Sequence, residues 1–268
     1  MRESQKAIGV FDSGVGGLTV VRALMERLPH ENIVYFGDTA RVPYGTKSRN
    51  TIEQFSEQIV RFLLEQNIKV LVIACNTIAA VAEQKVRRLT GAMPVFDVIN
   101  AGADAAVAAT LTGKIGVIAT TTTVNSNAYA RAIAARREDC HVFSQACPLL
   151  VPLIEEGWLD NEVTRLTVRE YLSAFSSKQI DTLVLGCTHY PLIKPLLSDE
   201  ICGVTLVDSA ITTADAVANE LKKLDLLNEN QDTPDYRFFV SDIPLRFRSI
   251  GESFLNRPLD QLEIVSLG

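Results

Sequence analysis

The chain has 268 residues, 47% hydrophobic and 22% charged, and its 26 basic residues against 32 acidic ones leave a net charge of −6. This composition fits a folded globular protein and excludes a disordered or membrane-spanning chain. No basic tract is long enough to follow a phosphate backbone, so nucleic acid is not expected as a partner, and no apolar run approaches the roughly 20 residues that cross a bilayer. At about 150 residues per domain, the length suggests two modest domains and also allows one large one. The N-terminal sequence MRESQKAIGVF runs straight into a strand-like segment, with no apolar core followed by a small-residue cleavage site. A cytoplasmic location, where thiols stay reduced, is the expectation.

Along the chain, short runs rich in Val, Ile and Leu alternate with longer amphipathic stretches. Strands are predicted at residues 7–11, 33–37, 70–74, 95–98, 115–119, 142–145, 182–186 and 204–207. They are apolar on both faces, as parallel strands buried between helix layers are. Helices are predicted at 18–27, at 50–66 (where Ile52, Phe55, Ile59, Phe62 and Leu63 recur at helical spacing), at 161–176 and at 210–224. The polar stretch 228–235 is expected to be a surface loop. Strand and helix alternating this often define an α/β fold with mostly parallel sheets.

The two halves resemble one another. Ile8-Gly9-Val10-Phe11 matches Ile115-Gly116-Val117-Ile118 at an offset of 107, and Leu71-Val72-Ile73-Ala74-Cys75-Asn76-Thr77 matches Leu183-Val184-Leu185-Gly186-Cys187-Thr188-His189 at an offset of 112. Buried strands look alike by composition, but the shared cysteine-polar-polar tail points to two related α/β units. Ligands of open α/β sheets bind beyond the carboxyl ends of the strands. Two such units facing each other would form one cleft, with a cysteine from each side.

The first segment with chemistry in it is Phe11-Asp12-Ser13-Gly14-Val15-Gly16-Gly17-Leu18, a strand end, a glycine-rich turn and a helix start. Such a turn offers backbone N–H groups and a positive helix end to an anion. It lacks the Gly-Lys-Ser/Thr of a nucleotide P-loop and the Gly-x-Gly-x-x-Gly spacing. Asp12 could take a proton or hold an ammonium group, or simply cap the turn. Cys75 and Cys187 each end a buried strand just before an expected helix start, a position that lowers a thiol from about 8.5 towards the thiolate. Cys140, Cys147 and Cys202 read as small buried apolar residues, and the odd count of five cysteines argues against a disulfide framework. His189, two residues after Cys187, could exchange a proton with it. A cysteine–histidine nucleophile pair and zinc are the alternatives, although Cys-x-His alone is a poor zinc signal. His30 and His141 read as structural. Gly37-Asp38-Thr39-Ala40 and Pro43-Tyr44-Gly45 follow the second strand, and four threonines, Thr120 to Thr123, follow the strand at 115–119. Their hydroxyls and free N–H groups could hold a carboxylate without an arginine, or form a polar turn. Glu155 by itself reads as a solvated carboxylate.

At these residues the sequence resembles the glutamate racemases of the aspartate/glutamate racemase superfamily. The resemblance covers nearly the whole chain. It rests on the Asp12–Gly17 turn, Tyr35-Phe36-Gly37-Asp38-Thr39-Ala40, Pro43-Tyr44-Gly45, Ala74-Cys75-Asn76-Thr77 and Leu185-Gly186-Cys187-Thr188-His189-Tyr190-Pro191-Leu192. It implies two similar, doubly wound, mostly parallel α/β domains related by a pseudo-two-fold, with the active site in the cleft between them. The first, discontinuous, would be residues 1–98 plus 207–268 and the second 99–206. It implies cofactor-independent, metal-free interconversion of L- and D-glutamate, supplying D-glutamate for peptidoglycan synthesis, in a homodimer with no membrane partner. Carried over by motif, Cys75 and Cys187 would be the two acid/base residues, with Asp12 assisting near Cys75 and His189 near Cys187, and Glu155 a further acidic residue. Substrate contacts would come from Asp12, Ser13, Tyr44, Gly45, Asn76, Thr77, Thr120, Thr123, Thr188 and His189. Two departures from the family pattern, Ile78 where a small residue is usual and Ala101-Gly102 where Pro-Gly is usual, bear on helix packing and cleft shape. The rival readings are another cofactor-free racemase, such as one for aspartate, and a ligand-binding protein that uses the cleft without turnover.

Overall fold

The computed structural model describes residues 2–230, 232–242, 247–259 and 261–267. Its strands are β1 (Ala7–Asp12), β2 (Ile33–Gly37), β3 (Ile68–Ile73), β4 (Val95–Asp97), β5 (Lys114–Ala119), β6 (His141–Ala146), β7 (Thr182–Gly186), β8 (Thr205–Asp208), β9 (Tyr236–Val240) and β10 (Leu262–Ile264). They form two sheets, ordered β10-β9-β2-β1-β3-β4 and β6-β5-β7-β8, and every neighbouring pair runs parallel. The α/β class with parallel sheets expected from the alternation is the one observed. Every residue of β1, β2 and β3 is buried, which requires cover on both sheet faces.

The order β2-β1-β3-β4 recurs as β6-β5-β7-β8, and the repeated sequence segments fall on the corresponding central strands, β1 with β5 and β3 with β7. In each sheet the chain steps from the central strand to one side and then to the other. That reversal opens a crevice at the carboxyl ends of the central strands. Asp12 ends β1, Cys75 stands two residues beyond β3, Thr120 follows β5 and Cys187 follows β7. All four therefore stand at the carboxyl ends, beside crevices that topology creates.

Several predicted bounds move for identifiable reasons. Val98, predicted in a strand, opens helix α4 (Val98–Ala109). Asp97 stops the strand there, its Oδ1 accepting from the N–H groups of Ile99 at 3.1 Å and Asn100 at 2.8 Å. The predicted helix 161–176 breaks after Leu172 into a 3₁₀ turn at Ser173–Phe175. The edge strands β6 and β8 are half-exposed rather than apolar on both faces. Strands β9 and β10 have no counterpart in the sequence reading. β9 pairs with β2, some 200 residues earlier, a partnership no local pattern reports.

Lys69 opens the amino half of β3 fully buried against Glu31, Nζ to Oε2 2.5 Å. Its other protons go to the carbonyls of Ser4 at 2.5 Å and Leu226 at 2.8 Å, and Glu31 Oε1 accepts from the Asn228 N–H at 2.8 Å. The pair thus binds the segment after helix α10 (Ser209–Lys223) to the base of the first sheet. Removing one partner strands a buried charge, so Lys69→Met is expected to lower stability by about 3–5 kcal/mol, measured by urea unfolding. A loss below about 1 kcal/mol would show that the pair does not hold these segments.

Candidate active site

Between the carboxyl ends of the two sheets lies a cleft of about 400 Å³, whose lining includes both Cys75 and Cys187. Of the residues singled out by sequence, Ser13, Tyr44, Gly45, Asn76, Thr77, Thr120, Glu155, Thr188 and His189 also line it. Asp12 and Thr123 stand just behind the lining, 1% and 2% exposed. No lysine or arginine is on the lining, so an anion here meets N–H groups, hydroxyls and His189.

Cys75 precedes helix α3 (Asn76–Thr90) and is buried, its sulfur 3.4 Å from Ser13 Oγ. Its thiol is not lowered as its place at a helix start led us to expect. Burial, and then the negative charge of Asp12, push it up to about 12, against weaker opposing pulls from the Ser13 hydroxyl and the N–H groups of Ile78 and Ser13. The helix terminus contributes as expected, but desolvation is the larger effect. Asp12 itself is raised by burial. Its Oδ1 accepts from the Gly14 N–H at 2.8 Å, while Oδ2 is buried without a hydrogen-bond partner.

The glycines of the turn serve close approach rather than an exposed anion cradle. A β-carbon at Gly17 would lie 2.5 Å from Asp12 Cβ, and one at Gly16 would lie 2.3 Å from Thr188 Oγ1 and 2.6 Å from His189 Nδ1. The turn that carries Asp12 therefore packs directly against the loop that carries Cys187. Thr19, from helix α1 (Leu18–Arg27), fastens the contact by donating to the Thr188 carbonyl at 3.0 Å.

Cys187 leaves β7 into a turn and a 3₁₀ segment, Tyr190–Ile193, instead of an α-helix. His189 Nδ1 faces its sulfur at 3.9 Å and Nε2 meets Glu155 Oε1 at 2.8 Å, with the Phe254 ring edge-on at 5.1 Å. Burial works against a charged imidazole here, but the hydrogen bonds to Cys187 and Glu155 outweigh it and raise His189 to about 10. Glu155, an ordinary solvated carboxylate by sequence, ends helix α7 (Leu150–Glu155) and holds that proton. Among the described residues no group of three or more His, Cys, Asp or Glu is placed to hold a metal.

Hydroxyls close the cleft from side to side. Thr77 Oγ1 and Thr120 Oγ1 are 3.0 Å apart, as are Thr120 and Thr123, and Thr122 donates to the Gly45 carbonyl at 2.7 Å. The Tyr44 hydroxyl is already committed to Asp38, whose carboxylate also holds Arg41 at 2.7 Å and Ser241 at 2.8 Å. Tyr44 therefore offers the cleft its ring and backbone. The apolar wall of Val42, Pro148, Val151 and Pro152 was missed by sequence. Pro148 follows β6 and the carboxyl-end rule could have found it, whereas Val151 and Pro152 carry no local signal. Ile78 and Ala101 are both buried and neither lines the cleft. Of the three cysteines read as buried and apolar only Cys147 is so: Cys140 is half-buried and Cys202 exposed, in the turn before Gly203. All five are free. His30 and His141 are exposed, away from the site.

The chain belongs to the Asp/Glu/Hydantoin racemase family, whose model matches residues 16–217. Glutamate racemases are among the proteins it is most similar to. The one from Neisseria meningitidis serogroup C is 68% identical over 264 residues, covering 98% of each chain. The one from Syntrophus aciditrophicus is 62% identical over 262 residues, 97% of this chain and 96% of that one. The structure of glutamate racemase from Francisella tularensis in complex with D-glutamate superposes with a TM-score of 0.94 at 47% identity, covering 98% of both chains.

Proposed function

We propose that this chain is an isomerase that interconverts L- and D-glutamate, using Cys75 and Cys187 as its two acid/base groups and no cofactor. The observation that carries the reading is that two buried thiols, at the ends of corresponding strands of the two sheets, line one cleft. Racemisation takes the α-proton from one face and returns a proton to the other, so two opposed groups serve a fixed substrate where one could not. The thiolate on one side takes the α-proton and becomes a thiol. The thiol on the other side gives its proton to the opposite face and becomes a thiolate. Proton positioning of this kind supplies about 10²–10⁴-fold, too little alone for so weak a carbon acid. The remainder comes from fixed N–H and hydroxyl donors meeting the charge that develops on the substrate carboxylate in a water-poor cleft. The His189 imidazolium stands where it can exchange a proton with Cys187 or balance its charge, whereas Asp12, whose negative charge disfavours a Cys75 thiolate, could serve Cys75 only by exchanging a proton.

In this reading, residues 1–98 with 207–268 and residues 99–206 form two units that close on the substrate. Among the described residues no helix is long and apolar enough to cross a membrane. The reading places the enzyme in the cytoplasm, as a homodimer, feeding D-glutamate to peptidoglycan synthesis. Circular dichroism of L-glutamate incubated with the purified protein tests the activity: the signal should decay to zero, unaffected by pyridoxal phosphate. Faster decay with L-aspartate would make it an aspartate racemase, and a constant signal beside clear glutamate binding would make it a binding protein.

The pH profile should report His189. Raised from 6.5 to about 10, the imidazole stays protonated through neutral pH, and activity that needs the imidazolium falls only as pH approaches that value. Glu155→Gln removes one of the two partners that hold the proton, so the alkaline limb of kcat/KM should move to lower pH. A limb at the wild-type position would separate Glu155 from the titration.

A further inference from the structure

Tyr129 is a candidate for a role that the site as described leaves unfilled. It lies in helix α6 (Ala128–Ala134), fully behind the cleft and 2% exposed. Its hydroxyl donates to Asn76 Oδ1 at 2.7 Å. Two glycines make room for the ring: a β-carbon at Gly186 would lie 3.0 Å from Tyr129 Cε2, and one at Gly102 would lie 3.2 Å from its hydroxyl. Asn76 lines the cleft, is 2% exposed, and its Nδ2 is a buried donor with no partner. A side-chain amide can turn over by half a rotation, presenting either its oxygen or its NH₂. A phenol that gives its proton to the oxygen decides between the two.

We propose that Tyr129 is a positioning residue that fixes the Asn76 amide with its NH₂ facing the cleft, where it donates to a substrate carboxylate oxygen. This rests on the reading that Asn76 binds the substrate. Asn76 rises from the end of β3 and Tyr129 belongs to a helix that follows β5, so the donor is oriented only while the two halves are docked. An unpartnered buried donor is costly, and a carboxylate at Nδ2 supplies its missing acceptor.

The test combines three variants with KM and kcat measured in both directions. Tyr129→Phe, which removes one hydroxyl, should raise KM for glutamate about tenfold with kcat changed less than threefold. Asn76→Ala should raise KM further, and adding Tyr129→Phe to it should have no additional effect. Asn76→Asp keeps an acceptor for Tyr129 but removes the NH₂ and adds a charge, so it should raise KM more than Asn76→Ala does. If Asn76→Ala raises KM while Tyr129→Phe leaves it unchanged, or if the two effects simply add, the positioning role is overturned and the substrate contact stands. If Asn76→Ala leaves KM unchanged, the substrate contact and the inference built on it both fall. Should Tyr129→Phe fold poorly, the Asn76 pair decides alone: Asn76→Asp binding as well as or better than Asn76→Ala would mean that the amide does not present its NH₂.

Discussion

Cys75→Ala and Cys187→Ala are each expected to lower kcat/KM by at least about a thousandfold in both directions, within the range that acid/base groups supply. Each thiol serves one face of the α-carbon, and the product needs both, so a chain with one thiol lacks either the base or the acid for whichever enantiomer it starts from. The two act as a unit, and the double variant should be little worse than either single one. Stability should change far less than activity, because both side chains are small and alanine removes only a sulfur from a position already beside an open cleft. The high thiol of Cys75, pushed up to about 12 by burial and by Asp12, makes it a proton donor at rest. Chiral chromatography of the product from each enantiomer provides the readout. A single variant within tenfold of wild type would remove that cysteine from the reaction.

The second large effect is expected from a residue that carries no functional group. Gly16→Ala would set a β-carbon 2.3 Å from Thr188 Oγ1 and 2.6 Å from His189 Nδ1, closer than packed atoms allow. The loop that carries both does not yield easily. The Thr188 carbonyl is held by Thr19 at 3.0 Å, and His189 is held between Cys187 and Glu155. The added methyl must therefore move the loop bearing Cys187 or the turn bearing Asp12. A misplacement near 1 Å costs about 100-fold in rate, while overpacking of this size costs about 1–3 kcal/mol in stability. The expected result is about a hundredfold loss of kcat/KM in a protein that still folds, measured by the dichroism assay beside urea unfolding. A loss below threefold would mean that the turn and the loop can separate without disturbing the chemistry.

The parts of this architecture that sequence displays are those encoded over a few neighbouring residues. The apolar runs of β1, β3, β5 and β7, the polar residues that follow them and the matched cysteine tails are all local, and the carboxyl-end rule turns them into one site. What sequence hides depends on which distant segments meet. Tyr236–Val240 is a strand because it lies beside β2, and Glu155 matters because its carboxylate reaches His189. The glycines at 16 and 17 suggest an anion-binding turn by their spacing, and only the three-dimensional contacts show that they admit Thr188, His189 and Asp12. The thiol of Cys75 is the clearest case of competing effects. Its helix-start position is legible and pulls towards the thiolate, but the burial that overrides it comes from the whole fold.

The two-thiol account is tested most directly by running the reaction in D₂O from L-glutamate and measuring deuterium at the α-carbon of each enantiomer. Because the acid that protonates the second face is a thiol in exchange with solvent, the D-glutamate formed should carry one solvent deuterium at Cα from the first turnovers onward. D-glutamate that retains the original α-hydrogen would contradict the account, since one group would then have carried the same proton from face to face.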